Sequence, residues 1–226
     1  MGICIIIPAF NAEQMLTAVV YDALQAKAPL LVVDDGSSDR TAACASQLPV
    51  NIISHGRNLG KGAALRTGFA WALKHGFDGV VTIDADGQHD ASAIPLLAST
   101  AREKGYDILI ASRFSQFGQM AGLRSIWNRF GVWCMAKRTG FEITDSQSGF
   151  RYYSASLLRQ VELSANGYHM EMEILMKAWR GGFRIGSIPV AAQVVDGRAT
   201  SHYRAVQDTW KICMTFLKYM RYNGTR

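Results

Sequence analysis

The chain has 226 residues, with 24 Lys+Arg against 18 Asp+Glu, and is 49% hydrophobic and 19% charged. This excludes disordered, collagen-like and disulfide-scaffold classes and fits a globular protein long enough to bury a proper core. The net charge of +6 is local: residues 113–138 hold five basic residues and no acidic one, residues 204–226 hold five against Asp208, and the rest is net −3, a pattern of two basic surfaces and poor support for nucleic-acid binding.

Residues 3–7 (ICIII) form an apolar run with no basic segment before them. They read as a buried strand and not as a signal peptide, so the chain is expected in the cytoplasm; with no run of 18 apolar residues, no membrane-spanning helix is expected. Asn11 is expected to cap a helix to about Ala26. Residues 30–34 are the second strand, followed by a helix capped by Ser38 or Asp39. Residues 51–54 are the third, followed by a helix ending near His75-Gly76; 79–84 and 107–112 are the fourth and fifth. This alternation predicts βαβ units: an α/β fold with a mostly parallel central sheet covered by helices on both faces. Ligands then bind beyond the carboxyl ends of the strands, where Asn11, Asp34, Asp35, Asp84, Asp86 and Arg113 fall. Residues 113–226 read as a helix, a GFRYYS strand, a helix, a strand pair around Pro189 and a final helix. No repeat or linker divides the chain, which reads as one domain. Cysteines 4, 44, 134 and 213 form no CxxC pair, so free thiols are expected, and neither disulfides nor a zinc site.

Two nucleotide motifs are absent. PAFN follows the first strand where a dinucleotide fold needs GxGxxG; around Gly60-Lys61, His55 and Gly62 stand where a P-loop needs Gly and Ser/Thr. The strongest chemical signal is Asp84-Ala-Asp86-Gly-Gln88-His89-Asp90. Carboxylates two apart on extended chain point the same way. With the amide oxygen of Gln88 they suit a hard cation such as Mg²⁺ or Mn²⁺, able to bridge phosphates. Asp90, just before a helical pattern, reads as a cap. Asp34 and Asp35 either accept from a base N–H or ribose hydroxyl or form an Asx turn, with Asp39 as helix cap.

The segments IIIPAFNAE, VVDDGSSDRT, NLGKGAALRTGF, DADGQHD, ASRF, DSQSGFRYYS and EMEILMKAWRGGFRIGSIPV occur in an order that resembles family-2 glycosyltransferases of the GT-A (Rossmann-like) fold. The likeness is nearest to the polyprenyl-phosphate (dolichyl-phosphate) mannosyl- and glucosyltransferase branch and covers essentially the whole chain. The resemblance implies a metal-dependent inverting transfer from a nucleotide-sugar donor to a polyprenyl-phosphate acceptor. Residues 1–112 would bind the donor and 113–226 the acceptor. Pro8, Phe10 (where the family often has Tyr), Asn11 and Glu13 would line the nucleotide pocket. Asp34 or Asp35 would read the base, and Lys61 would lie near the donor. Asp84 would hold the sugar or ribose side, Asp86 and Gln88 the metal. Arg113 would face the reacting phosphates; Arg124 and Asn128, one helical turn apart, would hold the acceptor phosphate. Ser201-His202 stands at an acceptor-side position where mannose enzymes typically have Ser-Lys, a departure that bears on the sugar more than on the reaction. Met170 replaces the aromatic of an F-E-x-E-I helix carrying Glu171 and Glu173.

A hydroxyl acceptor would need a base, for which Asp145, Glu171 and Glu173 are the candidates; the same residues could instead orient Arg151 or cap helices. The same fold acting on a hydroxyl acceptor and a non-catalytic module that retains the pocket are the competing readings. Two apolar stripes, Met120, Leu123, Trp127, Phe130 and Cys134, and Val206, Trp210, Cys213, Leu217 and Met220, either pack on the core or lie in a membrane interface. A cytoplasmic protein in peripheral contact with an anionic membrane is expected.

Overall fold

A computed structural model describes residues 2–112, 145, 148–191 and 205–221. Arg113, Arg124, Asn128, Ser201 and His202, the stripe at 120–135 and any second strand after Pro189 lie outside these residues. Seven strands form one sheet: β1 (Ile3–Ala9), β2 (Leu30–Asp34), β3 (Asn51–Ser54), β4 (Gly79–Thr82), β5 (Ile108–Ser112), β6 (Arg151–Ser154) and β7 (Ile185–Pro189), in the spatial order β3-β2-β1-β4-β6-β5-β7. All pairings are parallel except those of β6 with β4 and β5. β2, β4 and β5 are buried along their whole length, as the unbroken apolar runs of a sheet covered on both faces require. Pro8 is tolerated in the central strand because β4 pairs only with Ile3 to Ile6, so at Pro8 the ladder on that side has ended.

The helices are α1 (Leu16–Leu24), α2 (Thr41–Ser46), α3 (Lys61–Lys74), α4 (Ile94–Lys104), α5 (Ala155–Gln160), α6 (Met170–Arg180) and α7 (Ala205–Arg221). Two apolar clusters form, one on each face of the sheet. One holds Leu16, Val20, Leu97 and Ala101 of α1 and α4; the other holds Leu65, Phe69, Leu157, Met172 and Leu175 of α3, α5 and α6. The chain runs outward from β1 through β2 to β3 and then crosses back to β4 on the other side of β1. The strand order therefore reverses between β1 and β4, and the crevice beyond their carboxyl ends is where an open α/β sheet binds its ligands.

Two capping expectations are corrected. Asn11 does not cap α1, which begins at Leu16 with Met15 before it. Asn11 sits at φ 48°, a left-handed conformation that Asn adopts more readily than most residues. Its side chain is committed to the β2 loop. Neither Ser38 nor Asp39 is the N-cap of α2: that position is Arg40, with no side-chain cap, and Asp39 just before it accepts from Thr41 N. By contrast, Asp90 accepts from Ser92 N at 2.9 Å and caps the turn before α4.

Candidate active site

A cleft of about 660 Å³ opens at the switch point. Its walls are the chain after β1 (Pro8 to Met15), Asp35 and Asp39 after β2, Asn58, Gly60 and Lys61 at the start of α3, Asp84 to Asp86 after β4, Gly167 and Tyr168 before α6, and Gln207, Asp208 and Lys211 of α7. The β1 and β2 loops are tied together across it. Asn11 Oδ1 accepts from Ser38 N at 2.9 Å, and Asn11 N donates to Ser37 Oγ at 2.9 Å. Glu13 accepts from Arg40 N at 2.9 Å, while Glu13 N donates to Asp39 Oδ2 at 3.2 Å. Burial alone would raise the Asp39 pKa, but hydrogen bonds from Thr41 and Glu13 outweigh it and hold the carboxyl below its usual range.

The two carboxylates at the end of β2 have different work. Asp34 Oδ1 accepts from Ser37 N at 3.1 Å, closing its own loop, and Asp34 is not among the cleft's lining residues. Asp35 does, and it pins the β3–α3 loop: it accepts from Leu59 N at 3.0 Å and Gly60 N at 2.7 Å and pairs with His55 Nδ1 at 2.7 Å. The other ring nitrogen of His55 meets Thr67 Oγ1 at 3.0 Å. Gly60 (φ 100°) and Gly62 then bring the first turn of α3 against residues 165–167. A Cβ at Gly60 would stand 2.4 Å from Asn166 O, and one at Gly62 2.6 Å from Ala165 O. This is the physical content of the NLGKG segment: two glycines where backbones touch.

Lys61 is thereby delivered into the cleft wall, with Nζ 2.6 Å from Asp84 Oδ1, 2.8 Å from Glu171 Oε1 and 5.4 Å from the centre of the Tyr168 ring. Burial alone would lower its pKa; Asp84 and Glu171 outweigh burial and hold the ammonium well above the ordinary lysine range. Glu171 also faces Arg151, whose guanidinium is wholly buried and donates to Ser148 O at 2.6 Å and Glu171 O at 3.2 Å. Glu173 is buried too. It accepts from Ala165 N at 2.8 Å, Ser164 Oγ at 2.8 Å and Tyr219 Oη at 3.1 Å, and pairs with Lys177 at 2.9 Å. Both glutamates are therefore engaged in ion pairs and loop contacts, the alternative to a base role. Burial pushes the Tyr168 hydroxyl up to about 12, so it stays protonated.

Beyond β4, Asp84 and Asp86 enter the cleft while Asp86 Oδ1 accepts from Gln88 N at 3.0 Å, which fixes its orientation. Among the described residues, six carboxylates line the cleft (Glu13, Asp35, Asp39, Asp84, Asp86 and Asp208) against Lys61 and Lys211, a net charge of −4. No described cluster of three His, Cys, Asp or Glu side chains forms a closed metal cage. Paired carboxylates in an open acidic cleft fit a hard divalent cation that completes its coordination with ligand phosphates.

Of the donor-side and metal residues expected from sequence, Pro8, Phe10, Asn11, Glu13, Asp35, Lys61, Asp84 and Asp86 line this one cleft; Asp34 and Gln88 are not among its lining residues, and Gln88 adjoins Asp86 through its backbone N–H. Sequence reading passed over Asp39 as more than a cap, and missed Asn58, Tyr168 and the α7 residues Gln207, Asp208 and Lys211. Tyr168 carried a signal: it lies two positions before Met170, the residue that replaces an aromatic.

A mostly parallel sheet with a carboxylate-lined cleft at its switch point fits an α/β enzyme that binds its ligand there, and the comparisons with known proteins give the class. The glycosyl transferase family 2 model matches residues 4–162, and the chain belongs to that family and is a glycosyltransferase. It is 31% identical over 202 residues to the polyprenol monophosphomannose synthase of Mycolicibacterium smegmatis, covering 82% of this chain and 75% of that one. It is 30% identical over 211 residues to the UDP-N-acetylglucosamine–dolichyl-phosphate N-acetylglucosaminyltransferase of Methanococcus voltae, covering 83% and 84%. Glucosyl-3-phosphoglycerate synthase from Mycobacterium tuberculosis, solved with Mn²⁺, UDP-glucose and phosphoglyceric acid, has the same fold, with a TM-score of 0.76, 21% identity and coverage of 96% of this chain and 79% of that one.

Proposed function

We propose that the protein is a metal-dependent, inverting glycosyltransferase that moves a sugar from a nucleotide-sugar donor to a polyprenyl phosphate at the cytoplasmic face of a membrane. The observation that carries the donor half is the acidic cleft with Asp84 and Asp86 at the end of β4. A net −4 site repels a nucleoside diphosphate unless a cation accompanies it. Asp86, with Gln88, would hold Mg²⁺ or Mn²⁺; a bound cation offsets the charge that builds on the departing diphosphate. Phe10, Asn11, Glu13 and Asp35 frame the nucleotide, Asp84 orients the sugar or ribose, and Lys61 supplies positive charge on the cleft wall. By their motifs in the sequence, Arg113 would act on the reacting phosphates, Arg124 and Asn128 would hold the acceptor phosphate, and Ser201 and His202 would serve the acceptor side.

The acceptor half is supported by the relatives named for polyprenol and dolichyl phosphate, and by chemistry. A lipid phosphate with a second pKa near ~6 is largely ionised at neutral pH and attacks without a strong base. Glu171 and Glu173, already engaged in ion pairs outside the cleft's lining, leave such a nucleophile the better match. The two relatives differ in sugar at nearly equal identity, so the donor sugar is left to experiment.

The test is a panel of nucleotide sugars with Mn²⁺ or Mg²⁺ and a short-chain polyprenyl phosphate. The expected product is a glycosyl lipid phosphate of inverted anomeric configuration. Asp86→Asn is expected to lower the rate roughly 10²–10³-fold. Transfer only to hydroxyl acceptors, or undiminished activity in chelator, overturns the reading.

A further inference from the structure

We propose that Lys61 is a built-in counter-ion that keeps Asp84 out of the coordination sphere of a divalent cation in the cleft, so that Asp86 alone of the pair holds it; this rests on the metal-dependent reading. Asp84 and Asp86 stand two apart, a spacing that on extended chain would turn both carboxylates to one ion. The chain is not extended there. Strand β4 ends at Thr82, Ala85 and Asp86 lie in a turn, and Gly87 has φ 72°. The two carboxylates therefore have different neighbours. Asp86 Oδ1 accepts from Gln88 N within its own loop. Asp84 is wedged against the cleft wall: Oδ1 is 2.6 Å from Lys61 Nζ, Oδ2 is 4.0 Å from Nε2 of the buried His89, and a Cβ on Gly149 would fall 2.3 Å from Oδ2.

The ammonium is placed as firmly as the carboxylate. Glu171 Oε1 holds it from the other side at 2.8 Å, and Glu171 Oε2 is itself 3.8 Å from the buried Arg151. Charge thus alternates from core to cleft through Arg151, Glu171, Lys61 and Asp84, and sums to zero. The backbone of Lys61 cannot retreat, because Gly60 N donates to Asp35 and Gly62 abuts the backbone of residues 165–166. A metal ion that took Asp84 as a ligand would face the ammonium across one carboxylate, a like-charge contact in a wall where Lys61 is only 13% exposed. Hard cations bind more tightly as more carboxylates reach them. By withholding one, Lys61 makes the empty cleft a weak cation site that needs phosphate oxygens to complete it, and it leaves Asp84, ionised and fixed, to accept from hydroxyls of the donor.

The experiment is a Mn²⁺ titration of the full chain without nucleotide, with free Mn²⁺ read by electron paramagnetic resonance. Lys61→Met is expected to bind Mn²⁺ roughly tenfold more tightly than wild type, because Asp84 then joins Asp86. Lys61→Met/Asp84→Asn should return to the wild-type affinity. Lys211→Met removes another positive charge from the same cleft lining and should change the affinity less than about threefold. With Lys61 in place, Asp84→Asn should cost less than about threefold and Asp86→Asn more than about tenfold; these two isosteric variants decide the matter if circular dichroism shows Lys61→Met unfolded. The inference is overturned if Lys61→Met binds like wild type, if its gain survives in the double variant or is matched by Lys211→Met, or if Asp84→Asn costs as much as Asp86→Asn. Those outcomes leave the metal-dependent reading standing wherever binding still needs Asp86. No Mn²⁺ binding by any variant, with UDP or GDP added, overturns both.

Discussion

Gly149 has its α-carbon against the Asp84 carboxylate: a Cβ there would lie 2.3 Å from Oδ2 and 2.4 Å from Oδ1. The carboxylate cannot leave Lys61 easily, so an added methyl group must push both. Gly149→Ala should therefore lower kcat/KM roughly 10²-fold, as expected of misplacing a positioning group by about 1 Å. Because the cost passes through Asp84, it should largely vanish in an Asp84→Ala background. Full cost in that background, or an unfolded single variant by circular dichroism, would break the link. At this scale the sequence was readable where a residue acts on its neighbours. Asp90 as a cap and Asp86 at a strand end follow from local spacing. Gly149 was not readable, because its constraint comes from a carboxylate 65 positions earlier in the chain. Asp35 was half-readable: a cleft residue, but one whose carboxylate also pins the amides of Leu59 and Gly60.

Elements join through Glu173 in a way no local pattern announces. One buried carboxylate on α6 holds the 164–165 segment, Lys177 on its own helix and Tyr219 of α7. Burial would raise its pKa, but the Ala165 amide, Lys177 and Ser164 outweigh burial and hold it at about 2, against an ordinary 4.5. The folded-state value is the lower one, so the stabilisation is complete above the unfolded value. It is lost as pH falls from about 4.5 towards 2, on the order of 3 kcal/mol. Urea denaturation across that window should show the loss in wild type, and Glu173→Gln should be less stable at neutral pH with a shallower acid limb. Equal acid sensitivity in the variant would assign the effect to other carboxylates. Helix α7 also shows why an apolar stripe alone misleads. Its sequence holds two apolar ridges. The expected stripe is split: Trp210 and Leu217 are exposed, while Met220 packs on the core with Ile212, Phe216 and Tyr219. Periodicity gives the faces of a helix, and only its neighbours decide which one is buried.

At the scale of the molecule, the strand-and-helix alternation of residues 1–112 was legible because β1, β2, β4 and β5 are buried apolar runs, with only the edge strand β3 exposed at its ends. The antiparallel insertion of β6 between β4 and β5 was not, since pairing partners leave no trace in a single strand. The cleft is likewise a product of the whole chain: the loops after β1, β2, β3 and β4 meet the segment before α6 and the first turns of α7. A ligand that fills it must therefore stabilise the entire domain and not one lobe. On the metal-dependent reading proposed above, the −4 charge of its described lining makes nucleotide and cation favour each other's binding. In a thermal scan, nucleoside diphosphate alone and Mn²⁺ alone should each shift Tm little. Together, at about 100 times the dissociation constant, they should add about 2.7 kcal/mol, a rise of roughly 5–10 °C for a domain of this size. Asp86→Asn should abolish the synergy while leaving the unliganded Tm near wild type, because Asp86 is only half-buried and sits at the cleft surface. An equal shift from nucleotide without metal would show that basic residues beyond the described segments, and not a cation, neutralise the cleft.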